Sequence, residues 1–250
     1  MAGHSRWANV KHKKAAADAK KGKIFTRLIK EVTVASRLGG ADPGMNPRLR
    51  LAIDKANDAN MPKDTIERAI KRGAGGLEGV NYEEITYEGY GPGGVAILVD
   101  VATDNRNRTA GEIRNLFSKN GGNMAEAGAV GWMFHPRGVI VVELAKHSED
   151  DVLEAALDAG ADDVTFGAEG TAEILTPVVG FDHVKKALEA KGYTVTSAEL
   201  SKIPTNTIEL DERTAASVLR LFEALESHDD AQKVYANFSI ADDVMARLVG

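Results

Sequence analysis

The side chains with the clearest chemistry in this sequence are cations. Between Met1 and Arg72 stand seventeen lysines and arginines against seven acids, a net charge of +10. The 250-residue chain as a whole carries −6, so the other 178 residues carry −16. Charge separated in this way marks an end that meets a polyanion, or one that meets the acidic remainder of its own chain. Residues Met1 to Gly22 hold Arg6, Lys11, Lys13, Lys14, Lys20 and Lys21 against Asp18 alone, and Trp7 is nearly their only large apolar side chain. Such a segment buries too little surface to offset its ordering entropy. It predicts an arm, helical from Lys13 to Lys20 when bound, whose cations run along phosphates while Trp7 stacks on a base. The alternative is a solvated tail with Trp7 tucked into the domain.

Three further cationic groups join the candidate set. Lys23, Arg27 and Lys30 fall on one side of a helix, a geometry suited to phosphate contact. Arg68, Lys71 and Arg72 end a short helix that a helix-turn-helix reading would place against base edges, although any two short helices joined by a turn match that pattern. Arg106 and Arg108 open another helix beside Asp104 and Thr109. There they face either phosphate or, as a solvated capping loop, an internal salt bridge.

Other chemistries find little support. Gly89, Gly91 and Gly94 spell G-x-G-x-x-G, but Pro92 interrupts them and a strand follows, so a hairpin loop is expected rather than a dinucleotide site. The six histidines, His4, His12, His135, His147, His183 and His228, lack the spacing of zinc ligands on a helix, so no metal or cofactor is expected. No P-loop, G-x-S-x-G or H-E-x-x-H string occurs, and no small-molecule substrate is indicated. The absence of cysteine excludes disulfides and thiolate sites and fits a reducing cytosol. No apolar run approaches the roughly 18 residues of a membrane span, and the N-terminus lacks the apolar block of a secretory signal. The expected location is cytoplasmic.

Periodicity places these residues on elements. Lys23 to Leu38 is an amphipathic helix with Ile24, Phe25, Leu28, Ile29, Val32 and Ala35 on one side, closed by Gly39-Gly40. Arg48 to Ala59 follows Pro47, with Leu49, Ile53 and Ala56 inward. Pro62 opens a third helix through Ile66, Ala69 and Ile70 to Gly73. Three helices with single apolar faces predict a helical bundle. Beyond the glycine-rich Gly73 to Val80, strands and helices alternate. Val139–Leu144, Glu149–Ala159, Val164–Phe166, Ala172–Leu175, Phe181–Ala190 and Tyr193–Glu199 read as a ferredoxin-like βαββαβ unit. The flanking segments, Val95–Val101, Asn105–Lys119 and Ala129–His135 with Thr207–Leu210, Arg213–Leu225 and Lys233–Phe238, read as a second unit of the same order, with Trp132 and Phe134 in its core. The expected fold class is multidomain α+β: a basic arm and helical domain over residues 1–78, a discontinuous α+β domain over 79–135 with 205–250, and an inserted ferredoxin-like domain over 136–204. The loop Asn123 to Gly131 is a helix-to-strand connection, or a segment that inserts into a partner.

Long strings within these elements resemble the YebC family. They are G-H-S-R-W-A-N-V-K-H-K-K from Gly3 to Lys14, G-K-I-F-T-R-L-I-K-E from Gly22 to Glu31, N-P-R-L-R-L-A-I-D-K-A from Asn46 to Ala56 and M-P-K-D-T-I-E-R-A-I-K-R-G from Met61 to Gly73. Y-E-G-Y-G-P-G-G from Tyr87 to Gly94 and D-N-R-N-R-T from Asp104 to Thr109 are similar too. The resemblance implies a helical N-terminal domain followed by two α+β domains, one inserted in the other. It also implies a cytoplasmic, non-enzymatic protein of a family described as DNA-binding transcriptional regulators. A mitochondrial relative is a translational activator of a cytochrome oxidase subunit, and bacterial relatives are ribosome-associated. The expected partner is therefore nucleic acid, either DNA or ribosomal RNA, with the ribosome as a further partner. A protein-interaction module whose basic bundle docks on acidic partners, or on its own acidic domains, is the alternative from another class. If about six phosphates are neutralised, affinity falls about a thousandfold between roughly 50 and 200 mM salt.

Overall fold

Helix α1 spans Asp18–Gly39, α2 Pro47–Asp58 and α3 Lys63–Gly73 in the computed structural model, which describes residues 18–78, 81–167 and 170–249. Asn46 caps α2 by accepting from the Leu49 N–H at 3.1 Å, and its amide donates back to the carbonyls of Ala35 and Gly40, both at 2.8 Å. One side chain thus ends α1 and starts α2. Val32, Ala35, Leu49, Ala52 and Ala69 form one buried cluster, and Ala56, Met61 and Ile66 a second. Asn60 turns the chain between α2 and α3 at φ +58°. Gly73 lies so close to α1 that an added Cβ would fall on the Thr33 carbonyl and 2.7 Å from Ser36 Cβ. The three-helix bundle is as predicted, with one exception: Ile24 is 46% exposed.

Two antiparallel sheets follow. The first has the order β3-β1-β2-β9, built from Asn123–Ala125, Glu83–Tyr90, Ala96–Thr103 and Ala231–Ala236. Helices α4 (Arg106–Lys119) and α7 (Glu212–Glu226) supply its core with Ile113 and Phe117, and with Val218, Leu221, Phe222 and Leu225. Tyr90 pairs with Ala96 across a 3-10 turn at Pro92–Gly94, where Gly93 and Gly94 take positive φ. The glycine string is therefore a hairpin loop.

The second sheet has the order β5-β6-β4-β7, from Asp163–Gly167, Thr171–Thr176, Phe134–Glu143 and Thr194–Pro204. With α5 (Glu149–Asp158) and α6 (Phe181–Ala190) this is the predicted ferredoxin-like unit. Ser148 caps α5 in a reciprocal capping box with Asp151. A two-stranded parallel sheet joins β8 (Ile208–Glu209) to β10 (Phe238–Ser239), and α8 is Asp242–Val249.

The outer module departs from the predicted βαββαβ order. Ala129–His135 is not a strand of its sheet. Residues 131–133 form a 3-10 turn, and Phe134 and His135 begin β4, which continues unbroken to Glu143 in the other sheet. Thr207–Leu210 and Phe238 likewise leave for the small parallel sheet, and Ile85 to Glu88 takes a central place in the first. Trp132, expected in the core, is 66% exposed. Alternating apolar residues mark a strand without saying which sheet it joins.

By its internal packing the chain divides, among the described residues, into one unit of Trp132–Glu209 with Asn237–Ser239 and another containing the remainder. The helical bundle and the first sheet belong to the same unit. No described helix is long and apolar enough to cross a membrane.

Candidate nucleic-acid interface

The cationic stripe of α1 is only partly open to solvent: Lys30 is buried, Arg27 half-buried and Lys23 exposed. It packs against the turn that follows α7. Lys30, 6% exposed, meets Asp230 Oδ1 at 2.6 Å, and its Nζ also donates to the Asp229 carbonyl at 3.0 Å. Arg27 donates to the Glu226 carbonyl, and Lys23 to that of Ser227 at 3.0 Å. Burial lowers the Arg27 pKa, against the charges of Glu226 and Asp229. Lys30, buried against Asp230, is thus taken out of the predicted phosphate-gripping set, and Arg27 is engaged, while Lys23 remains exposed. Around Lys30 the polar side of α1 is packed against the sheet-bearing part of the same unit, so Lys30 and Arg27 serve internal assembly.

Asp230 is the centre of that contact. Its Oδ1 takes Lys30, and its Oδ2 takes Thr109 Oγ1 at 2.6 Å and an Arg108 guanidinium nitrogen at 2.8 Å. Burial alone would raise its pKa, but hydrogen bonds from Lys30, Thr109 and Arg108 hold it well below the usual carboxylate range. Arg108 also bridges to Asp104 at 2.9 Å. These are the internal salt bridges of the capping-loop reading. Glu112, His228 and Asp230 bring donor atoms within 4.8 Å of one another. Those atoms are already engaged: His228 Nδ1 accepts from the Asp230 N–H, and Nε2 faces Glu112 at 2.9 Å. Two cations already occupy Asp230, so the cluster fits a structural network rather than a metal ion.

Other bundle cations are held as well. Arg48 forks onto Glu31 at 2.8 and 3.0 Å and onto Glu84 at 2.6 and 3.0 Å. Arg37 donates to the Tyr82 carbonyl, and Arg50 to that of Pro43 at 3.3 Å.

What stays available lies on α3 and α4. Arg68 and Lys71 are exposed and meet no carboxylate among the described residues; the Arg68 guanidinium donates to the Asp64 carbonyl at 3.1 Å and to Thr65 Oγ1 at 3.5 Å. Arg72 is half-buried, with its Nε buried and unbonded. Arg106 is exposed and without an ion pair among the described residues. Arg6, Trp7, Lys11, Lys13 and Lys14 lie outside the described residues. Lys20 and Lys21 stand on the first turn of α1, and their side chains too lie outside what is described.

Sequence reasoning passed over one carboxylate. Glu88, 8% exposed on β1, accepts from the N–H groups of Gly128, Val130 and Gly131, each at 2.7 Å. It pins the loop that leads into the inserted unit. No sequence signal marks it, since an acid on an alternating strand reads as solvent-facing.

Fold and site together define a multidomain α+β protein with a cationic helical bundle set on one of its two units. Residues 5–76 match the family model described as the TACO1/YebC protein N-terminal domain, and residues 82–238 match the TACO1/YebC second and third domain. The chain belongs to this family. It is 56% identical to a protein of Trichlorobacter lovleyi and 54% identical to one of Dictyoglomus turgidum, covering 100% and 99% of this chain and all of each relative. Both relatives are named "Probable transcriptional regulatory protein". A crystal structure of a conserved hypothetical protein from Aquifex aeolicus, 49% identical, superposes with a TM-score of 0.84 over 95% of this chain and 98% of that one.

Proposed function

We propose that this protein is a non-enzymatic, cytoplasmic regulator of gene expression that docks on nucleic acid through backbone phosphates. The observation that carries the reading is the set of cations left over once the internal contacts are made. Arg68 and Lys71 stand exposed at the C-terminal end of α3, in a bundle preceded by an arm with six cations and one acid. The names of the relatives suggest transcription, with duplex DNA as the target.

A second reading, structured RNA in translation, is favoured by the placement of acids on α3. In a helix-turn-helix the N-terminal residues of the second helix face base edges. Here that half carries Asp64 and Glu67, both exposed, which repel phosphate. Contact by charge and shape then fits better than base reading, and RNA duplexes are recognised mainly in that way.

The test is equilibrium binding of the full chain to a DNA hairpin and to an RNA stem-loop of the same sequence, across a salt series. The expected result is steeply salt-dependent binding that Arg68→Glu with Lys71→Glu weakens. Absence of binding to either probe at low salt overturns the proposal, and the better-bound probe selects between transcription and translation.

A further inference from the structure

Strand β5 forms one edge of the second sheet, and its backbone meets no partner on the outer side among the described residues. It pairs with β6 alone. The Val164 N–H donates to the carboxylate of its own neighbour, Asp163 Oδ1, at 2.9 Å, which places it on the open side. Backbone groups two residues apart point the same way along a strand, so the Phe166 N–H faces outward with it. Neither residue has a further hydrogen bond outside the ladder to β6. An exposed edge is commonly blunted by a lysine, a proline or a bulge. Asp163–Gly167 contains neither residue, and its register with β6 is continuous.

An apolar flank lies beside that edge. Val164 and Phe166 pair with Ile174 and Ala172, both fully buried, so their side chains share the helix-covered face. Both are themselves only half-buried. On α5, Val152, Ala155 and Ala156 point inward. Asp151, Glu154 and Asp158 occupy one flank of that helix, where they line a cavity with Lys191 and Tyr193 beside the start of β7. At 100° per residue Leu153 and Leu157 fall on the other flank, which the sheet order turns toward β5, and both are exposed. Glu149 and Asp150 fall on that flank too. With Asp163 they are exposed and meet no cation among the described residues.

We infer that the β5 edge is a docking site for an extended basic segment of a partner protein, which adds as a further strand and lays alternate apolar side chains against Leu153, Leu157, Val164 and Phe166. In strand addition the main-chain bonds supply affinity, and the apolar flank takes every second side chain. Charge selects the occupant. A second copy of this chain would bring its own Glu149, Asp150 and Asp163 to the same edge, and like charges placed opposite one another oppose pairing. A segment with lysines or arginines at the intervening positions meets those acids favourably. The wider surroundings have the same sign, since Phe134–Pro204 holds thirteen acids against six lysines and arginines. The inference goes beyond the nucleic-acid reading and does not rest on it.

The experiment uses the full chain and synthetic peptides about eight residues long, the length of an ordinary strand. One alternates lysine with valine, one alternates glutamate with valine, and one is the lysine–valine peptide N-methylated along its backbone. The lysine–valine peptide is expected to bind and to slow hydrogen exchange at Val164 and Phe166. The other two are expected to bind at least about tenfold more weakly, one lacking the charge and the other the backbone donors. Leu153→Gln with Leu157→Gln, which keeps the charge and suits a helix, is expected to weaken binding by about tenfold at an unchanged thermal midpoint. No binding of the lysine–valine peptide overturns the proposal. Equal binding of the N-methylated peptide reduces the contact to charge alone and overturns it as well, as does full binding by the leucine variant. Protection of Val164 and Phe166 that grows with chain concentration and without peptide assigns the edge to a second copy and overturns the basic partner.

Discussion

Asp230 gathers two cations and a hydroxyl in a buried position, and removing it strands Lys30. Taking one partner from a buried ion pair leaves an uncompensated charge, at about 3–5 kcal/mol. Asp230→Ala should therefore lower the unfolding free energy by that order in urea denaturation. The same carboxylate sets an acid limit. Its folded pKa lies below the unfolded value, so its contribution is fully present above about pH 4 and is lost as pH falls from there toward the folded pKa. The denaturation midpoint should fall with acidification in that window, and less steeply in Asp230→Asn. Glu88 makes a second residue-scale case. Replacing it with glutamine sets an amide group against three N–H donors, at a cost of about 1–3 kcal/mol. Hydrogen exchange at Gly128, Val130 and Gly131 should quicken in that variant.

Helix α3 shows how an element can defy its own propensity. Alanine is a better helix former than glycine, yet a Cβ at Gly73 runs into α1 at Thr33 and Ser36. Gly73→Ala is expected to destabilise by about 1–3 kcal/mol through overpacking, measured by thermal unfolding. The limits of sequence reading also sit at this scale. The bundle was legible because its signals are local: Gly39-Gly40, Pro47, Pro62 and Gly73 punctuate runs with a 3.6-residue period. The inserted unit was legible because its six elements follow one another directly. Strand β4 was not, since its first residues look like the end of one strand and its last like the start of another. The buried polar face of α1 was not legible either. A lysine on a polar stripe looks the same whether it faces water or, as Lys30 does, a carboxylate 200 positions away.

At the scale of the molecule, the +10 of the first 72 residues overstates what is offered to a partner. Arg27, Lys30 and Arg48 are engaged in internal bonds, so under the proposed function the arm and α3 carry the contact. Replacing Lys11, Lys13, Lys14, Lys20 and Lys21 together by alanine should flatten the salt dependence of nucleic-acid binding while leaving the thermal midpoint unchanged. Replacing Lys30 alone should do the reverse. A salt series run beside thermal unfolding separates the two. The surplus of cations was thus legible in the sequence but their internal pairing was not, because composition counts charges and does not show which are already neutralised.

The Lys30–Asp230 bond also has a history during synthesis. Chains emerge at about 5–20 residues per second, so the helix bearing Lys30 waits roughly 10–40 s for a counter-ion 200 positions downstream. Strand β9, which closes the first sheet beside β2, arrives just after it. By the end of that interval the inserted unit has all four strands of its own sheet, while the bundle still holds a bare ammonium on the surface destined to be buried. A newborn chain should therefore present more free positive charge than the finished one, and lose it only once Asp230 and the turn around it are made.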